Sequence, residues 1–401
     1  MAPTLTHVHT IGESDDICTR LLGALSFTVV WGVGQFVGPL SLPLLAWAAF
    51  YLPWAVTAVI AAFMLYPFCV PPESLYSPRF CRFVLSQAGW LKGGSSMWVS
   101  EDVLHLKDRV NEGIMVAYHP HGLIPCGFAL NGAVRARAQK NEVYVPPWLP
   151  LNATVSGVQA PVLFKIPLLR HILLGFGCCV PATKAGVRRL LTKRTTFGII
   201  PGGSEEVAIH QTGKENIYLK VGNHHGSLGR FYLPRGPPLG PRMYTPPTHA
   251  CSLGRGKSPI PKGRKEWAVN DQCASESRSQ KRAGFLKYAL QHGYTIVIAF
   301  TFGESDLYSS VAAVRPINLW LVKKFGFVLP IFWGCWFYPL LPRRDVPLHT
   351  VMGKALELPR IDDPSPEQVA EWHATYMREL ENVYERHKAQ FGYADRKLTF
   401  F

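Results

Sequence analysis

The sequence predicts an α/β fold, a sheet flanked by helices, preceded by an N-terminal transmembrane helical hairpin. Two observations carry this. Short apolar runs rich in β-branched residues alternate with stretches of helical spacing, the pattern of layered α/β folds. Upstream of them, Leu21 to Pro72 contains no Asp, Glu, Lys, Arg or His, 52 consecutive uncharged residues. One crossing of the bilayer core takes roughly 20 apolar residues, so two passes fit.

Residues 1–20, polar and partly acidic (Glu13, Asp15, Asp16), are taken as a disordered tail. Residues 21–72 are the membrane hairpin, with Pro39, Ser41 and Pro43 where it would turn. The run is too long, and starts too late, for a cleaved signal peptide. Its competitor is a buried hydrophobic hairpin within a soluble domain, which the length disfavours. Arg20 before it and Arg79, Arg82 and Lys92 after it are compatible with both ends in the cytosol.

Residues 73–220 and 281–401 form the predicted main domain. Ile114–Tyr118, Phe197–Ile200 and Tyr294–Phe300 read as buried strands, and Leu123–Gln139 has helical spacing. Near the end, Ser365 is an N-cap, Pro366 suits the first helical position and Gln368 completes a capping box. Val369, Trp372, Tyr376, Val383 and Tyr384 then recur near helical spacing, as expected of a structural helix.

Residues 221–280 break the pattern. They hold eight Pro and eight Gly, with nine Lys+Arg against three Asp+Glu, a composition that cannot bury enough apolar surface to order itself. Removing them joins Tyr218-Leu219-Lys220 to Lys281-Arg282-Ala283-Gly284-Phe285 in a helix-like stretch. A Val codon begins with GT and a Gln codon can end in AG, so Val221 and Gln280 stand where the ends of an unspliced intron would. The segment is either a retained intron or a disordered basic Pro/Gly-rich insertion, and sequencing the transcript decides between them. His224, His225 and Cys251 receive no catalytic role.

The formal charge of +15 suits an anionic membrane surface or the phosphates of coenzyme A. No nucleic-acid partner is expected, because aromatics are not interleaved with basic residues in a binding module. Nine irregularly spaced Cys without a CxxC pair form neither a disulfide framework nor a metal motif, which places the soluble part in a reducing cytosol.

Three polar clusters each follow a strand-like run: His119-Pro120-His121-Gly122, Pro201-Gly202-Gly203-Ser204-Glu205-Glu206 and Thr301-Phe302-Gly303-Glu304. In open α/β sheets, sites gather beyond the carboxyl ends of strands, so the three could share one pocket. Forming an ester from an alcohol and a thioester requires removal of the hydroxyl proton, which an imidazole does near neutral pH. A carboxylate on the other ring nitrogen fixes its tautomer, and Gly-rich backbone presents N–H groups to an oxyanion or a phosphate. Each cluster has a plainer reading: core histidines, an ordinary Pro-Gly-Gly turn, and solvated first-turn carboxylates. No third ligand stands at metal spacing from the histidines, Thr212-Gly213-Lys214 lacks P-loop spacing, and Gly-Xaa-Ser-Xaa-Gly is absent.

Together the clusters resemble the type 2 diacylglycerol acyltransferase family, which includes monoacylglycerol and wax-alcohol acyltransferases. The resemblance spans nearly the whole chain except the tail and residues 221–280. Its most specific element is Tyr118-His119-Pro120-His121-Gly122. The Pro-Gly-Gly block, with the family's Glu falling at Glu206, comes next, followed by Arg282-Xaa-Gly284-Phe285, Phe302-Gly303-Glu304 and the late Pro364, Val369, His373 and Tyr376. The chain departs from the family at Ser305, Ile298 and Gly353-Lys354-Ala355-Leu356, positions that bear on acceptor identity. His-x4-Asp, usual in lysophospholipid acyltransferases, is absent: Ile124 and Cys126 stand there.

The resemblance implies a glycerolipid-acyltransferase-like sheet and acyl transfer from acyl-CoA to diacylglycerol, making triacylglycerol. Monoacylglycerol and long-chain alcohols are the alternative acceptors. It implies an endoplasmic reticulum membrane protein, multi-pass, with its catalytic domain facing the cytosol, and a place on lipid droplets. His121 is the implied base, His119 its support and Glu206 the orienting carboxylate. Gly122, Pro201, Gly202, Gly203, Arg282, Gly303 and Glu304 are the implied substrate-binding set. Acyl-CoA is a substrate, so no metal or organic cofactor is expected; a homo-oligomer is compatible with the sequence. A different class, a non-catalytic lipid-droplet hairpin protein, would tolerate loss of His119 and His121 but not of residues 21–72.

Overall fold

The computed structural model describes residues 5–100, 103, 106, 113–132, 155–177, 179–219, 284–326, 328–329 and 331–401. The 221–280 insertion, Arg282 and most of the second half of the helical 123–139 stretch lie outside them.

The strands are β1 (Leu5–Ile11), β2 (Ser95–Ser100), β3 (Ile114–His119), β4 (Val155–Gln159), β5 (Cys179–Pro181), β6 (Thr196–Ile199), β7 (Glu215–Ile217), β8 (Thr295–Phe302), β9 (Ser309–Ser310), β10 (Phe332–Trp333), β11 (Leu348–Glu357) and β12 (Leu398–Phe400). Eight of them form one mixed sheet in the order β1-β2-β11-β8-β3-β6-β4-β5. From β8 to β5 every neighbour is parallel. The three runs expected to be strands are β3, β6 and β8, and β3 lies between the other two. Their carboxyl ends, with the three polar clusters, therefore stand side by side.

Alternation along the strands builds a core on each face. Ile114, Val116 and Tyr118 of β3 point into one layer with Cys81, Phe128, Leu173 and Phe176. Met115 and Ala117 point into the other with Leu190, Leu286, Tyr294, Tyr376 and Leu380. All eight residues of β8 are buried, as befits a central strand covered on both faces. His119 shares the face of Met115 and Ala117, which aims its ring at the last helix, Pro366–His387. That helix opens on the expected capping box: Gln368 N donates to Ser365 Oγ (3.3 Å) and Ser365 N to Gln368 Oε1 (2.9 Å).

Two N-terminal expectations are corrected. The tail is not disordered throughout. Residues Leu5–Ile11 form β1, antiparallel to β2, and Leu5, Val8 and Ile11 each pack against a hydrophobic cluster. The apolar run does not turn at Pro39–Pro43 either. Helix Ile17–Phe27 continues through a π-helical stretch, Thr28–Val37, into helix Gly38–Tyr51. Gly38 stays helical (φ −51°, ψ −56°) ahead of Pro39, and Pro43 lies inside the helix. The break falls at Leu52, extended at φ −107° and ψ 155°, the conformation a following proline favours. Trp54–Cys69 then forms the next helix. Among the described residues, Ile17–Gly34 is the one helical segment long and apolar enough to cross a membrane. Large side chains on these helices, including Leu21, Phe50 and Trp54, are exposed.

Candidate active site

The β3 strand ends at His119, a cis peptide leads into Pro120, and the loop carries His121 and Gly122 before helix Cys126–Asn131. Two buried carboxylates hold this loop by its backbone. Glu206, on helix Gly203–Ile209, accepts from the backbone N–H of His121 through Oε2 (2.7 Å) and from that of Tyr218 through Oε1 (3.2 Å). Glu304, just beyond β8, accepts from the backbone N–H groups of Cys126 (2.8 Å) and Gly127 (2.7 Å). Both N–H groups belong to the first helical turn, where a carboxylate also meets the positive end of the helix dipole. Burial pushes the Glu304 carboxyl up to about 8, with the two N–H donors pulling the other way.

The glycines make room for this arrangement. A Cβ on Gly202 would stand 2.0 Å from Glu206 Oε1, and one on Gly122 2.9 Å from Glu304 Cγ. Gly122 has φ +63° and Gly303 φ +94°, where side chains are strained. Gly203 N donates to Ile200 O (3.1 Å), closing the turn over Pro201 and Gly202.

The two histidines differ. His119 is sealed, at 0% exposure. Its Nε2 lies 2.6 Å from the Tyr376 hydroxyl. Burial holds that phenol well above its ordinary value, so it stays a neutral hydroxyl against the ring, whose Nδ1 lies 3.7 Å from Glu206 Oε1. His121 is half-buried. Its Nδ1 lies 3.2 Å from the carbonyl oxygen of Gly122, which can only accept, so the proton sits on Nδ1 and the lone pair on Nε2. Burial lowers its pKa from the ordinary imidazole value, against an opposing pull from Glu206. The ring is thus neutral near pH 7 with one basic nitrogen.

The structure therefore brings His119, His121, Gly122, Gly202, Glu206 and Glu304 together, with Pro201, Gly203 and Gly303 shaping the turns. The two carboxylates make contacts that the sequence did not specify. Glu206 meets the backbone, not the ring, of His121, because the loop presents its N–H to the carboxylate while Nδ1 turns to Gly122. Both oxygens of Glu304, which is buried, accept from the backbone of the helix that follows the loop. Arg282 lies outside the described residues. Sequence reasoning missed the contact of Tyr376 with His119, since helical spacing marks a buried face without saying what it touches. It also missed a buried polar group beside the site. His210 donates through Nε2 to Ser305 O (3.1 Å), and Ser305 Oγ donates to Glu215 Oε2 (2.8 Å). Burial pushes His210 down to about 4 and Glu215 up to about 7. No cluster of three or more His, Cys, Asp or Glu fit to hold a metal occurs among the described residues.

The family model described as "Diacylglycerol acyltransferase" matches residues 264–400, which include Glu304 and the last helix. The chain is similar to mouse (Mus musculus) "Acyl-CoA wax alcohol acyltransferase 1", 27% identical over 90% of this chain and 96% of that one. It is similar to "2-acylglycerol O-acyltransferase 1" of Bos taurus, 37% identical over 30% of this chain and 39% of the relative. It is also similar to "Diacylglycerol O-acyltransferase 2" of Xenopus tropicalis, 25% identical over 70% and 62%.

Proposed function

This chain belongs to the diacylglycerol acyltransferase family and is an acyltransferase, and on that premise we propose that it esterifies diacylglycerol with the acyl group of acyl-CoA. The observation that carries the reading is the neutral His121 ring, half-buried at the carboxyl end of β3, with its lone pair on Nε2. As the acceptor oxygen attacks the thioester carbonyl, Nε2 takes the hydroxyl proton. The new C–O bond forms, the C–S bond breaks, and the imidazolium returns its proton to the departing thiolate of coenzyme A. A thioester is already activated, so no acyl-enzyme is needed. Glu206 and Glu304 hold the loop so that the ring keeps its place, and His119 with Tyr376 fixes the strand end beneath it.

The apolar N-terminal helices would seat the enzyme in the endoplasmic reticulum membrane and on lipid droplets, multi-pass, with the sheet on the cytosolic side. The lipid acceptor enters from the bilayer and acyl-CoA from the cytosol. Coverage of 90% of this chain by the wax alcohol relative favours one second reading, a long-chain alcohol acceptor; monoacylglycerol is the third member of the panel. Microsomes given labelled acyl-CoA and each acceptor in turn decide which ester forms. His121→Ala is expected to lose activity about 10²–10⁴-fold, the usual contribution of a positioned base. Unchanged ester formation would reject the assignment.

A further inference from the structure

Between Asp306 and Asp345 the sequence has no acidic residue, and it carries Arg315, Lys323, Lys324, Arg343 and Arg344. This stretch is also apolar on its outside. Helix Arg315–Phe325 buries Asn318 and Val322 and leaves Ile317, Trp320 and Phe325 more than half exposed. Beyond it, Ile331, Trp333 and Phe337 are exposed, and Trp336 is 91% exposed. Soluble surfaces rarely leave so many large apolar side chains together. At 11 residues the helix is too short to span a bilayer.

Two further observations say what covers this surface. It is continuous with the apolar N-terminal helix. Phe27 and Trp31 share a hydrophobic cluster with Cys335, Leu341 and Tyr338, and a Cβ on Gly32 would lie 3.1 Å from Leu340 Cδ1. It also mixes Trp with cations, as side chains do at the headgroup level. Lys324 Nζ sits 5.2 Å from the centre of the Trp320 ring and 5.5 Å from that of Phe325. The same helix borders the site, where Arg315 Nε donates to His210 O (3.2 Å).

We propose that residues 315–337 form a second membrane contact, lying in one leaflet at the boundary of headgroups and acyl chains, with Lys323 and Lys324 on anionic headgroups. The bilayer surface is thereby brought up to the rim of the site, which gives a lipid acceptor a short path to His121. This path rests on the proposed acceptor class; the membrane contact does not.

The test places a photoreactive benzoyl-phenylalanine in the full chain at position 320 or 336, in microsomes with labelled phospholipid. Leu25 on the apolar helix is the lipid-facing reference and Glu371 on the last helix the water-facing one. Positions 320 and 336 are expected to give phospholipid adducts at about the Leu25 level and roughly fivefold or more above Glu371. Adducts at the Glu371 level, or adducts to a second copy of the chain in place of lipid, overturn the proposal. Because adduct yield does not depend on turnover, an enzyme that makes ester without lipid adducts rejects this surface alone. An enzyme that forms adducts but acylates no lipid alcohol rejects the functional reading alone.

Discussion

Replacing Glu206 by Ala separates holding the loop from performing the reaction. The carboxylate is 2% exposed and accepts two backbone N–H groups, from His121 and Tyr218. Each buried donor left without a partner costs about 1–3 kcal/mol. Both donors border half-buried residues that water can partly reach, so the pair is worth about 2–4 kcal/mol. That is a large share of the roughly 5–15 kcal/mol by which folded domains are stable. In a unit of this size it corresponds to a drop in Tm of about 3–6 °C. His121→Ala removes only a half-buried ring whose one bond is to its neighbour's carbonyl, and its Tm is expected within about 2 °C of the parent. Thermal melts of the detergent-purified proteins, run beside microsomal activity, give the comparison. Glu206→Ala should lose stability and activity together, whereas His121→Ala should lose activity alone. A Glu206→Ala protein that melts with the parent yet is as inactive as His121→Ala would refute the clamp and put the carboxylate in the reaction itself.

Three other outcomes follow from the same geometry. Burial disfavours the imidazolium of His121, so the ring stays a base to lower pH than a free imidazole. The acid limb of kcat/KM should therefore lie below pH 6.5, and a limb above that value would exclude His121 as the titrating base. Gly202→Ala puts a methyl group 2.0 Å from Glu206 Oε1, so it should reproduce the instability of Glu206→Ala in the same melts; a parent-like Tm would show that the carboxylate has room to move. Tyr376→Phe leaves the buried Nε2 of His119 without its hydrogen-bond partner at a cost of about 1–3 kcal/mol. Activity should fall less than in His121→Ala, and equal losses would mean that the phenol acts on the reaction directly.

Much of the fold was legible because its physics is local. Runs of β-branched residues announced β3, β6 and β8, and the Ser365–Gln368 capping box announced the last helix. The position of each polar cluster after its strand was equally local. The path of the apolar run was not, since Pro39, Pro43 and Pro53 look alike in one dimension. Which of them breaks the helix depends on whether the preceding residue can stay helical, and only Leu52 leaves.

The order of the strands lay beyond any sequence window. His119 and Phe300 are neighbours across β3 and β8 because sheet pairing brings together residues far apart in the chain. That pairing turns three separate motifs into one loop held from two sides. The sequence by itself determined which residue types stand at the strand ends, and so the chemistry available there. Only the tertiary structure decided their surroundings, by sealing His119 under Tyr376 and leaving His121 half-buried. It also spent Glu206 and Glu304 on backbone N–H groups, because buried donors must find acceptors wherever the packing places them.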